Sequence, residues 1–267
     1  MTMSRILLPK PRLLGRRKFL GLSAAGLGAA LLGGCDRLSE APKFQEFLDS
    51  AEALTYRMQR MLGGGRTLAR EFTAADLSPD FKVNGTHAPD TPEYAALQET
   101  DFANWRLRVD GLVVRSLDLS LADLRAMPQR TQITRHDCVE GWSAIGKWQG
   151  ATLADILKRA GLQPAARFAV FHCADFYERA SDGTGQYYES IDLIDAFHPQ
   201  TILAHRLNDE PLSVGHGAPL RLRVERQLGY KQAKYVMRIE LTDRLDQLGR
   251  GKGGFWPDRG YEWYAGI

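Results

Sequence analysis

The stretch from Thr134 to Trp148, T-R-H-D-C-V-E-G-W-S-A-I-G-K-W, constrains this chain more than any other. It opens as a β-like run, which sets His136 and Cys138 on one face and Arg135 and Asp137 on the other. Any fold that accommodates it must deliver a thiol with an acid, Glu140, and two tryptophans, Trp142 and Trp148, close behind in sequence. A soft sulfur in such company suits a ligand or a nucleophile better than a core filler. On these residues alone three roles stand open for Cys138: an inert core thiol, a disulfide with Cys173, or a thiolate held by a metal or used in catalysis. The charged and aromatic neighbours count against the first. No Cys or His spacing marks a closed zinc site, so a metal held by Cys138 would take its other ligands from a cofactor.

The 267 residues hold only three cysteines, Cys35, Cys138 and Cys173, which is no disulfide framework. Residues 1–34 read as an address. The paired Arg16-Arg17 before Phe19-Leu20, followed by a mild Gly- and Ala-rich run, has the layout of a twin-arginine export signal. Leu32-Gly33-Gly34-Cys35 resembles a bacterial lipobox. The expectation is export by the twin-arginine machinery to the periplasm, with a lipid anchor on Cys35. That route carries folded proteins and favours a cofactor enzyme. The leader also explains the formal charge of +3: removing its six basic groups from the 35 leaves 29 against 32 acidic, a net −3. A nucleic-acid footprint would need a basic mature domain, so nucleic acid is excluded as a partner.

At 44% hydrophobic and 25% charged overall, the chain suits a globular domain with a real core. Residues 35–72 read as a tether and a helix ended by Gly63-Gly64-Gly65, and 73–267 as the main domain, whose first part, 73–104, reads as an extended arm with a turn at Asn84-Gly85. Strands are expected from the alternation of Trp105, Leu107 and Val109, over 131–138, Arg167–Cys173, Thr201–Leu207 and Leu220–Glu225, and along Tyr235 to Leu241. Helices are expected after the Ser120/Asp123 and Thr152/Asp155 caps and over Ser190–Phe197, with a polar loop over 175–188. The sum is a strand-dominated α+β domain.

A second constellation is His216-Gly-Ala-Pro-Leu-Arg221 followed by Gly229-Tyr-Lys-Gln-Ala-Lys234. Its glycine turns let backbone amides approach a ligand, and Arg221, Lys231 and Lys234 would converge on an anion such as a phosphate.

Together with Trp105-Arg-Leu-Arg-Val-Asp-Gly and Cys138-Val-Glu-Gly-Trp-Ser, in this order, these motifs resemble the sulfite oxidase superfamily of molybdopterin enzymes. The cysteine segment is most similar to that of the catalytic subunits of periplasmic methionine-sulfoxide reductases. The resemblance implies a sulfite-oxidase-type fold of mixed sheets with short helices. It also implies a molybdenum held by one molybdopterin and by Cys138. Asn84 and His87 would contact the pterin. Cys173 falls where the reductases have a cofactor-contacting threonine, which speaks against a 138–173 disulfide, and His216 falls where they have an asparagine. Arg221 matches their arginine, and Gln232, Ala233 and Lys234 match the segment that holds the pterin phosphate. His136, Glu140 and Trp142 stand as candidate catalytic side chains: His136 or the Trp142 indole as a donor to a departing oxygen, Glu140 as a proton relay.

Two departures shape the expected substrate. Sulfite oxidases carry arginines soon after the ligand cysteine, and this chain has Gly141, Trp142 and Ser143 there; Gln227-Leu228 stands where the reductases have a tryptophan–lysine pair. The expected function is two-electron oxygen-atom transfer on a small or protein-bound S-oxide or N-oxide. Electrons would be exchanged with a membrane haem protein or a cytochrome, and the chain is expected to be monomeric. The alternatives are oxidation of sulfite or another small sulfur compound, a non-catalytic lipoprotein that keeps the fold, and a thiol redox protein using Cys138 and Cys173.

Overall fold

The computed structural model describes residues 50, 51, 54–61, 67–181 and 183–267. The leader, Cys35 and Gly63-Gly64-Gly65 lie outside the described residues. Two units are distinguished, Met1–Thr55 and Tyr56–Ile267, and the fold below is that of the second.

In chain order the elements are α1 (Pro92–Glu99), β1 (Leu107–Gly111), β2 (Leu117–Leu119), α2 (Leu121–Ala126), β3 (Gln129–Cys138), β4 (Trp142–Thr152), α3 (Leu153–Ala160), β5 (Phe168–Phe176), β6 (Gln186–Asp192), α4 (Leu193–Ala196), β7 (Ile202–Leu207), β8 (Glu210–Pro211), β9 (Arg221–Arg223) and β10 (Val236–Thr242). One sheet has the order β2-β1-β10-β5-β6, the other β3-β4-β7-β8 with β9 on β7. The β1–β10 pairing is parallel and the other pairings are antiparallel. This is the mixed-sheet, short-helix architecture that the sequence implies.

Local chemistry accounts for the elements that carry the site. On β1, Leu107 and Val109 are buried and Arg108 is exposed, the alternation of a half-buried strand. The Ser120/Asp123 capping box starts α2. Thr152 caps α3, and Gly161 ends it at φ +66°. Leu153, Ile156, Leu157 and Ala160 of α3 are buried, each large one contributing roughly 1.5–3 kcal/mol. The core joins Trp105, Trp148, Phe171, Ile202 and Ile239 in one cluster.

Three local expectations are corrected. The 73–104 arm contains α1: Thr91 accepts from the Tyr94 amide and Pro92 opens the first turn. Residues 190–192 extend β6, because their backbone pairs with Phe168–Val170 of β5; only Leu193–Ala196 is helical. The 175–188 loop is shorter than expected, since β5 runs to Phe176 and β6 starts at Gln186.

Candidate active site

Strands β3 and β4 pair along their length, from Gln129↔Ala151 to Cys138↔Trp142. Gly141, at φ +85°, closes the hairpin, and its N–H donates to the Cys138 carbonyl at 3.0 Å. Cys138 is thus held rigidly at a strand end. It is half-buried and its thiol is free. Burial pushes that thiol up; the Glu140 backbone N–H and the Lys82 and Arg221 cations pull the other way. The mouth beside it is formed by Lys82, whose Nζ lies 5.6 Å from the Trp142 ring centre, by the exposed Val139, and by Trp142, whose Nε1 donates to Glu140 Oε2 at 2.9 Å. On the opposite face Arg135 pairs with Asp137 at 2.8 Å, as the strand period requires.

His136 lies buried behind Cys138. Its Nδ1 accepts from Arg223 Nη1 at 3.0 Å. Arginine can only donate, so the ring proton sits on Nε2. Burial first, then Arg221 and Arg223, hold the ring well below the usual histidine range, so it is neutral. The Nε2 atom and Gln232 Oε1 are both buried without an aligned hydrogen bond, although Gln232 is close enough to favour a protonated ring. A Cβ on Gly229 would stand 2.5 Å from Nε2, so the backbone of the Gly229 turn packs directly on this imidazole.

A cradle continues from there. Buried Arg221 donates to Asn84 Oδ1 at 3.1 Å and to the His216 carbonyl at 3.3 Å, and lies over Trp148. Its Nε has no partner, and its pKa is pushed down to about 9, by burial and then by Arg223. His216 Nε2 donates to the Phe81 carbonyl at 2.7 Å, and its Nδ1 accepts from Ser213 at 2.8 Å. Lys234 Nζ donates to the carbonyls of Asn84 at 2.7 Å, of Gly215 at 2.9 Å and of Thr86. Tyr235 also donates to Thr86 O. The 81–86 segment is therefore pinned across the cradle by Arg221, His216, Lys234 and Tyr235.

Gly85 makes that crossing possible. It adopts φ +61°, and a Cβ there would meet Tyr177 Oη at 1.9 Å. Gly85→Ala is expected to cost about 1–2 kcal/mol for the backbone alone, and more for the displaced tyrosine. A drop in the thermal unfolding midpoint checks it.

The structure brings Cys138, His136, Trp142, Asn84, His216, Arg221, Gln232 and Lys234 together. Ala233 is buried and contributes its carbonyl to Leu222 N. Cys173 is fully buried in β5, near Lys234 and Asp175. His87 is exposed. Lys231 corrects the expectation of three converging cations: its Nζ lies 2.5 Å from Glu189 Oε2, with both side chains fully buried, because an interior carboxylate holds it there. Sequence reasoning missed Lys82, Arg223, Glu225 and Asp175. Asp175 is 2% exposed, and its Oδ1 lacks a partner.

The chain matches the family described as "Oxidoreductase molybdopterin binding domain" over residues 94–248. It belongs to that family. The molybdopterin oxidoreductase domain thus covers β3, β4, β9 and the turns that carry Cys138, Arg221 and Lys234, with the 81–86 segment just outside it, and the chain is a molybdopterin-dependent oxidoreductase. It is 34% identical over 251 residues, 94% of this chain and 87% of the relative, to the "Putative protein-methionine-sulfoxide reductase subunit YedZ1" of Azospira oryzae. It is 31% identical to the "Uncharacterized oxidoreductase YuiH" of Bacillus subtilis, over 66% of this chain and 78% of that protein. It is 33% identical to the "Protein-methionine-sulfoxide reductase catalytic subunit MsrP" of Ralstonia nicotianae, over 62% of this chain and 51% of that protein.

The residues fit a molybdopterin. Arg221 Nε and Asp175 Oδ1 are buried polar atoms without partners, and Lys234 is bonded only to neutral carbonyls. An anionic, donor-rich group supplies what these atoms lack.

Asp175 also sets a pH dependence. Burial raises its pKa from 3.8 to about 6. The folded state then binds a proton that the unfolded state has released, so the contribution to stability is present at low pH and falls as pH rises through this window. Asp175→Asn in the cofactor-free protein is expected to flatten the unfolding midpoint between about pH 4 and 6.

Proposed function

We propose that this oxidoreductase reduces S-oxides in the periplasm, tethered to the membrane through Cys35. The observation that carries the substrate reading is the mouth beside Cys138. It presents the Trp142 indole and Val139, with Gly141 and Ser143 rather than arginines after the cysteine. Such a mouth suits a neutral sulfoxide with apolar arms better than a sulfite anion. Two of the relatives are named for methionine-sulfoxide reduction, which supports the same reading.

When bound, molybdenum supplies two-electron oxygen-atom transfer; overall, a sulfoxide takes up two electrons and two protons and gives the thioether and water. The chain's own residues seat and orient the substrate. Trp142, steadied by Glu140, packs against an apolar arm of the sulfoxide, and Lys82 attracts the oxygen end. Glu140, exposed at the mouth, is the group placed to relay a proton from solvent to the departing oxygen. Electrons come from a membrane haem protein or a cytochrome.

The test is a screen with an artificial electron donor. Methionine sulfoxide or dimethyl sulfoxide should turn over, and sulfite oxidation with an artificial acceptor should not. Sulfite turnover without sulfoxide turnover would overturn the substrate reading. For location, Cys35→Ala should release the exported protein from membranes, and Arg16→Lys with Arg17→Lys should keep it in the cytoplasm. Unchanged fractionation of both variants would contradict the anchor.

A further inference from the structure

We infer that Arg223 and Glu225 are positioning residues of the active site: they hold His136 with Nδ1 accepting and Nε2 donating, and through it fix Cys138 against the Gly229–Lys234 segment. This deepens the cofactor site and rests on Cys138 being the metal ligand.

The guanidinium of Arg223 has no freedom to turn. Its Nε and Nη2 donate to the two carboxylate oxygens of Glu225 at 3.0 and 2.6 Å, and its face lies 4.3 Å from the Trp148 ring centre. The remaining nitrogen, Nη1, is thereby aimed at His136 Nδ1. Glu225 is fixed from behind: Oε1 also accepts from Gln132 Nε2 at 2.8 Å, and Gln132 is held by the Gln200 carbonyl at 3.0 Å and by Arg130 Nε at 2.7 Å. Gln132, His136, Arg223 and Glu225 are all buried.

The other end of the imidazole meets the cofactor segment. Nε2 abuts Gly229. Gln232 donates its amide Nε2 to the Gln227 carbonyl at 3.2 Å, which leaves Oε1 as the acceptor that complements the ring N–H. A strut thus runs Glu225–Arg223–His136, with Gln232 Oε1 facing the free end of the ring and Cys138 two residues beyond His136 on the same strand face. Net stability does not explain it, since a buried ion pair of this kind gains little over well-packed apolar residues. Orientation does: groups behind a metal ligand set its angle and electron donation.

The test uses cofactor-loaded protein and reads the thiolate-to-metal absorption band, kcat and KM. Arg223→Lys keeps the pairing with Glu225 but loses the donor to Nδ1. It should shift the band and lower kcat by about tenfold at unchanged KM and metal content. His136→Gln places an amide N–H where Nε2 stood without needing Arg223, so Arg223→Lys in that background should change nothing further. If Arg223→Lys loses its metal, Arg223→Met with Glu225→Met, which leaves no charge unpaired, gives the same readout. Equal effects in both His136 backgrounds, or a lower melting point with an unmoved band, would overturn the inference. Cys138→Ser separates the readings: a band that survives in it faults the ligand assignment and not the strut.

Discussion

Cys138→Ser should remove about a thousandfold or more of turnover, equivalent to about 4 kcal/mol of barrier, while leaving the fold in place. The site geometry explains both halves. Cys138 is half-buried at a strand end, outside the core cluster, and its hairpin is closed by backbone bonds that a serine preserves. The oxygen of serine is a harder, far less acidic donor than a thiol, so it substitutes poorly for a thiolate on a soft-ligand metal site. Circular dichroism and the unfolding midpoint should match the parent within a few degrees. A variant that keeps even a tenth of the parental rate would show that the thiol is not part of the working site.

Lys234→Met is expected to have the largest effect on stability and on cofactor retention. Lys234 is 5% exposed, and its ammonium ties its own strand entry to two other segments, through the carbonyls of Asn84 and Thr86 on one and of Gly215 on the other. Methionine fills a similar volume but leaves the part-buried carbonyls of Asn84 and Gly215 without this donor, while Thr86 O keeps Tyr235 Oη. At about 1–3 kcal/mol for each buried group left unpaired, less for two carbonyls that are only partly buried, the cost is about 2–4 kcal/mol. The 81–86 segment should loosen first, since Asn84 and Thr86 lie on it. Metal content of the purified variant should fall to a small fraction of the parent's, and hydrogen exchange over 81–86 should speed up. Unchanged metal content with unchanged exchange would rule out Lys234 as the pin of the cradle.

How much of this is legible in the sequence depends on the range of the interactions. Strand β3, with its two faces, and the capped helices α2 and α3 rest on local patterns, and they stand where the spacing puts them. Helix α1 carries its own signal in Thr91-Pro92-Glu93, but it lies in a polar, proline-rich stretch whose composition reads as an arm. The end of β6 misleads because Ser190 and Asp192 look like cap residues. In the fold Asp192 does cap α4, while its backbone pairs with Phe168 of β5. Cys138, Arg221 and Lys234 can be picked out by residue type and motif. Lys231 cannot be told apart from them, because only the folded position of Glu189 turns it away. The contact between Arg223 and His136 spans 87 residues, and nothing in the spacing of either announces the other.

The central claim, a molybdenum ligated by Cys138, is tested most directly by X-ray absorption at the molybdenum edge on natively produced protein and on Cys138→Ser. The prediction is that the parent binds molybdenum and that the variant's metal has one sulfur neighbour fewer. Parent protein that carries no molybdenum with Cys138 intact, or an unchanged sulfur shell in the variant, would contradict it.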